Sequence, residues 1–307
     1  MKQALLAARD RLRGQAGLTL LEHEPLAPHT SFGIGGPADL LLIPHEIPAL
    51  LAAQRLLADF ESPPVYLGLG TNVLISDAGI RGVVIKVAQG LVGLAVDGPV
   101  LTAAAGESLQ AVCHLAADAG LAGLEFAGGI PGTMGGAVLM NAGAHGGEMA
   151  QVVEWAEVAL DGELQRFDRE ALQFGYRQSL LRSRSGAVVR AAVRLVPGSP
   201  EVTHQRLYEI LERRCARQPV TQRSAGCIFK RPPGDFAGRL VEAAGCKGLR
   251  LGDAAISTKH ANFIVNLGNA SAREVLALIE TVRERVYDQF GVSLETEVCW
   301  LGESDGV

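Results

Sequence analysis

Glycines are the residues whose spacing in this chain points most directly to chemistry. Eight of them fall between Gly128 and Gly147, flanked by apolar residues and not by the polar ones of a flexible linker. In Gly128-Gly129-Ile130-Pro131-Gly132-Thr133-Met134-Gly135-Gly136-Ala137, Pro131 fixes one turn, while Thr133 and, before Gly143, Asn141 supply hydrogen-bonding groups. Such a segment suits wrapping of main chain around a large polar cofactor; tight structural packing is the competing reading. A second turn, Gly68-Leu69-Gly70-Thr71-Asn72, follows a strand-like run and could cradle an anion in a nest of amides, or be an ordinary hairpin. It fails the dinucleotide fingerprint, because Val73 stands where the third glycine belongs and Val73-Leu74-Ile75 continues as strand. No GxxxxGK[ST] loop occurs, which removes the usual nucleoside-triphosphate sites.

Glu295 and Glu297 alternate with Thr296 and Val298, so a strand there puts both carboxylates on one face about 7 Å apart. Charges that discourage edge pairing are the plainer account of them. Five scattered cysteines (Cys113, Cys215, Cys227, Cys246, Cys299) form no CxxC pair, and seven histidines form no HxxxH pair. Reduced thiols and no metal site are therefore expected.

The elements that must position these groups can be read from periodicity. Val65 to Leu67, Val83 to Val87 and Val100 to Ala105 read as strands. Leu109, Val112, Cys113 and Ala116 repeat at helical spacing until Gly120, and Val152 to Leu160 and Ala187 to Leu195 return to strand. Pro197-Gly198-Ser199-Pro200 is the expected main boundary. Beyond it, Thr203 to Cys215 reads as helix, a Ser271/Glu274 capping box precedes a second one ending at Gly291, and Leu294 to Leu301 reads as the last strand.

Length and charge bound the rest. A chain of 307 residues suits two or three lobes. A net charge of −5 without a basic stripe leaves nucleic acid an unexpected partner. The first fourteen residues carry Arg9, Asp10, Arg11 and Arg13 in a helical pattern, unlike an export signal, and no long apolar run is free of charge or proline. A cytoplasmic protein with no membrane contact is expected.

Taken in order, several segments resemble the UDP-N-acetylenolpyruvoylglucosamine reductases (UDP-N-acetylmuramate dehydrogenases) of peptidoglycan precursor synthesis, in their short form. They are Thr30-Ser31-Phe32-Gly33-Ile34-Gly35-Gly36-Pro37-Ala38, the Gly68 turn, Gly129 to Gly143, Gly175-Tyr176-Arg177-Gln178-Ser179, Ala225-Gly226-Cys227-Ile228-Phe229-Lys230-Arg231-Pro232, Ser257 to Asn266 and Leu294 to Val298. The resemblance implies an α+β fold: a two-lobed FAD-binding module of the PCMH/vanillyl-alcohol-oxidase-like type over 1–198 (lobes about 1–80 and 81–198) plus a smaller α+β substrate-binding domain over 199–307, with strand 294–301 returning to the flavin. It implies noncovalent FAD held by Gly68, Leu69, Gly70, Thr71, Asn72, Gly129, Ile130, Pro131, Gly132, Thr133, Gly135, Gly136, Ala137, Asn141 and Gly143. NADPH is the implied co-substrate, a UDP-sugar enolpyruvyl ether the small-molecule substrate, and no obligate protein partner follows.

Resemblance also assigns roles. Arg177 would hold the substrate carboxylate and developing charge with a guanidinium that cannot lose its proton. Glu297 matches the carboxylate beside the enolic carbon, near enough to Glu295 for the two to titrate as a pair. Cys227 stands where many members carry the serine that protonates C2, and a thiol is the stronger acid, so the role survives while oxidation becomes possible. Tyr176, Lys230, Arg231, Lys259 and His260 match positions near the substrate, where cations would oppose a diphosphate; Arg231 departs from a frequent asparagine, and His145 from a frequent tyrosine. A buried structural cysteine and solvated surface charges are the plain alternatives. An FAD-dependent oxidase of a small carbohydrate or alcohol on a related fold is the rival enzyme class, and a flavin-carrying electron-transfer or nucleotide-binding module the rival without catalysis.

Overall fold

The computed structural model describes residues 2–60, 62–88 and 90–303; Met1 of the expected N-terminal helix lies outside them. The chain forms two compact units, one from 1–22, 40–68 and 82–213, the other from 23–39, 69–81 and 214–307. Cutting the chain once at residue 198 gives a different partition, because short early segments join the second unit.

The first unit carries two sheets. In one, the strands lie in the order Leu18–Pro25, Pro37–Pro44, Ile80–Lys86, Val65–Leu67, and the helix Ile47–Leu56 buries Leu50 and Ala53 among Leu40, Leu42 and Ile85. The other is antiparallel, in the order Glu163–Asp168, Val153–Leu160, Gly186–Arg194, Val100–Ala104, Leu94–Asp97. Val153, Ala156 and Val158 turn inward from it onto the helix Leu109–Asp118, which Ser108 caps. The expected strands and helix in this stretch are present to within a residue or two, except that the strand expected from Val83 begins three residues earlier, at Ile80.

A short helix, Met134–Leu139, stands where turns alone are expected. Thr133 caps it by accepting from Gly136 N at 3.3 Å, and it packs so close to the second sheet that a Cβ on Gly135 would lie 2.8 Å from the Ala105 Cβ. Two glycines of low helix propensity hide such a helix from sequence, and tertiary packing overrides that propensity.

In the second unit, the helix Ala272–Phe290 has the expected capping box between Ser271 and Glu274 and ends at Gly291 with φ 65°. Asp77 adds a further cap, accepting from Ala272 N and Arg273 N. The helix buries Val275, Ile279, Val282 and Val286 against Phe32, Ile228, Ile256 and Ile264.

The expected strand from Leu294 to Leu301 needs correction: only Cys299–Leu301 is strand, parallel to Val73–Ile75. Residues 295 and 297 bond instead to Lys230 and Ile228, while Cys299 N bonds to Asn72 O. A change of partner at residues 298–299 ends the antiparallel contact with 228–230, and the chain pairs with Val73–Ile75 from there on. No described helix is long and apolar enough to cross a membrane.

Candidate active site

In the first unit the glycine segment lies against the first glycine turn: a Cβ on Gly68 would approach Thr133 Oγ1 to 3.1 Å. Gly132 adopts φ 143°, open to glycine alone. Bare main chain is therefore presented there, as a bulky phosphate-bearing group requires. The amides of Met134, Gly135 and Gly136 are already bonded to Glu107 O, Ala105 O and Thr133 Oγ1, so contacts to such a group fall to the stretch before them. Asn141, fully buried with φ 42°, donates through Nδ2 to Gly175 O at 2.9 Å and accepts through Oδ1 from Ala150 N at 2.9 Å. Sequence assigns it to a cofactor, but both ends of its amide are engaged by the protein.

Gly175 and Gln178 exchange main-chain hydrogen bonds of 2.9 and 3.1 Å around Tyr176 and Arg177. Arg177 sits at φ 56°, half-buried, its guanidinium 5.2 Å from the centre of the Tyr176 ring. The carbonyl of Arg177 accepts from Arg182 Nη1, and Ser179 Oγ donates to Leu139 O at 2.7 Å.

In the second unit the rest of the first turn, Leu69 to Asn72, meets the C-terminal segment. Gly70, at φ 65°, is obligatory: a Cβ would stand 2.5 Å from His29 O. Asn72 Nδ2 donates to Glu297 O at 3.2 Å. Glu297 N in turn donates to Ile228 O at 2.7 Å, and Phe229 bridges to Thr296. Ile228, the residue after Cys227, is thus joined to Glu297 across an antiparallel contact.

Cys227 is half-exposed, unlike Cys113, whose thiol burial pushes up to about 12. Arg214 is near enough for a Cys227 thiolate to act on its charge; burial lowers the Arg214 pKa, and its Nε has no hydrogen-bond partner among the described residues. Lys230 pairs with Glu295 at 3.0 Å, leaving that carboxylate bound at the surface. Arg231 stacks 4.1 Å above the Phe236 ring, and Lys259 Nζ donates to Cys215 O.

His260 corrects the expectation of a cation. Burial, then Lys247, lowers its pKa. Its Nδ1 accepts from Asn262 N at 3.3 Å, so the neutral ring carries its proton on Nε2.

Comparison with known proteins decides the family. Residues 38–168 match the FAD binding domain model, and residues 218–301 match the model of the UDP-N-acetylenolpyruvoylglucosamine reductase C-terminal domain. A UDP-N-acetylenolpyruvoylglucosamine reductase from Rubrobacter xylanophilus is 50% identical over 281 residues, covering 91% of this chain and 94% of its own. This chain belongs to that family. A relative from Alkaliphilus oremlandii is 41% identical over 96% of this chain and 99% of its own. The crystal structure of the Thermus caldophilus reductase superposes with a TM-score of 0.79 at 39% identity, covering 92% and 98% of the two chains. The protein is accordingly an FAD-binding oxidoreductase with the expected α+β fold.

Some supporting residues of this reductase escaped the sequence reading. Asn262 donates to Phe229 O and accepts from Phe229 N, gripping the segment after Cys227. Asn266 donates to Phe32 O and accepts from Gly268 N and Ala270 N. Both are nearly fully buried beside Phe263-Ile264-Val265. A polar residue inside such an apolar run must find partners, and that signal could have exposed them.

Proposed function

We propose that this chain reduces UDP-N-acetylglucosamine enolpyruvate to UDP-N-acetylmuramate, with NADPH as electron source, in cytoplasmic peptidoglycan precursor synthesis. The observation that carries the reading is the junction at Ile228, where the residue after Cys227 bonds directly to Glu297. The segments that carry an acid and a carboxylate are thereby joined by a main-chain bond, and protonation of an enolic carbon needs such groups in one site.

Bound FAD supplies the hydride that adds to C3 of the enolpyruvyl double bond. Main chain around Gly129 to Thr133, with Gly68 to Asn72, would hold its pyrophosphate. Arg177 meets the substrate carboxylate and the negative charge that spreads onto it and C2, a fixed cation that needs no reorganisation as charge develops. The Cys227 thiol gives its proton to C2, which completes the reduction, and Glu297 stands beside that carbon. Arg214 offsets the thiolate left behind. Lys230, Arg231 and Lys259, now held by internal partners, turn to the diphosphate, while Tyr176 and the Nε2 proton of His260 contribute neutral donors.

The purified protein should be yellow and release free FAD on denaturation. Under anaerobic conditions NADPH should bleach the flavin, and UDP-N-acetylglucosamine enolpyruvate should restore its absorbance. Flavin that stays reduced when that substrate is added would remove the assignment.

A further inference from the structure

Arg177 occupies a backbone conformation that its side chain does not favour. The third position of its four-residue turn has φ 56°, which turns of this kind give to glycine or asparagine. An arginine there persists only because the surroundings hold it. Those surroundings are unusually specific. The Gly175 carbonyl takes two donors, Gln178 N at 3.1 Å and Asn141 Nδ2 at 2.9 Å. On the far side of the turn, Ser179, only 2% exposed, bonds to Leu139 O at 2.7 Å. Leu139 ends the short helix that Thr133 caps, and Asn141 follows its C-cap Met140. Asn141 is itself locked by Ala150 N. Both ends of the Arg177 turn are thus fastened to the C-terminal end of the glycine segment, within one unit.

We propose that Asn141 and Ser179 are positioning residues that set the Arg177 guanidinium, so that the glycine segment fixes the substrate-side cation as well as the cofactor. This rests on the role given to Arg177 above. Neither residue touches substrate in this assignment; each acts through Arg177.

Ser179→Ala removes one fastening with little change in shape. It should leave the FAD content and the rate of flavin reduction by NADPH within about twofold of the parent, yet slow flavin reoxidation by the enolpyruvyl substrate about tenfold or more. Asn141→Asp keeps the acceptor for Ala150 N but sets an oxygen against the Gly175 carbonyl, and its reoxidation should be slower still. In an Arg177→Ala background, Ser179→Ala should cost nothing further, because its effect passes through the missing guanidinium. Without cofactor, trypsin should cut after Arg177 about tenfold faster in Ser179→Ala, read by mass spectrometry.

The inference is overturned if Ser179→Ala matches the parent in reoxidation, if it slows both half-reactions equally, or if its effect persists in full without Arg177. Should Asn141→Asp fail to fold, the Ser179 cycle still decides. Failure of the parent protein itself to be reoxidised would sink the reading of the reaction, a different result from any of these.

Discussion

Arg177 stands on a four-residue turn whose ends are fastened by two side chains, Asn141 and Ser179. Cys227 and Glu297 stand on segments joined by main-chain bonds at Ile228, Lys230 and Asn72. Main-chain bonds survive most substitutions, whereas a side-chain fastening is lost when one residue is changed. The Arg177 turn should therefore respond to changes in its supports, and the Cys227 segment should tolerate changes at the reactive position itself.

That contrast sets the order of expected effects. Arg177→Ala removes a fixed cation from the developing charge and should slow flavin reoxidation by about 10³-fold with FAD retained; a loss below tenfold, by stopped-flow absorbance, would mean that the turn holds no catalytic group. Cys227→Ala should slow the same step by about 10²-fold, while Cys227→Ser, on an unchanged main chain, keeps useful activity. Equal rates for Ala and parent would make the thiol structural.

Asn262 is a point where the second segment does rely on a side chain. Asn262→Ala leaves both Phe229 main-chain groups without their buried partner and should lower the unfolding free energy by about 2–3 kcal/mol in urea titrations. A change within error would show that main-chain pairing alone suffices.

The smallest effect concerns pH. Burial holds the folded pKa of His260 below its ordinary 6.5, opposed by a main-chain hydrogen bond, with Lys247 lowering it further and Glu242 raising it. Between the folded and unfolded values the unfolded chain binds more protons. The stability due to the neutral ring is therefore complete above 6.5 and declines as pH falls below it. Replacing His260 by Gln should shrink the drop in melting temperature between pH 7.5 and 5.5 by about 1 °C, and identical profiles for the two proteins would acquit His260.

Much of the architecture could be read directly. The Ser271/Glu274 capping box, the Gly291 stop and the Val153–Leu160 strand are local patterns with local causes. The Met134–Leu139 helix was hidden because it carries two glycines of low helix propensity, one of which, Gly135, answers to close packing against Ala105. The last strand was read too long because alternation in sequence does not reveal a change of hydrogen-bonding partner at residues 298–299. His260 was counted as a cation because its type was visible and its burial was not.

By itself, the sequence determined which residue types this reductase has available: glycines that bare the main chain, a guanidinium, a thiol in place of a hydroxyl, and two neighbouring carboxylates. Tertiary structure decided their use. It made Asn141 a support inside the protein, set Lys230 against Glu295, left Glu297 beside the Cys227 segment, and held Arg177 in a backbone conformation it would not choose alone. The reason is that hydrogen-bond partners and desolvation come from residues far apart along the chain, and these settle what a polar side chain can do.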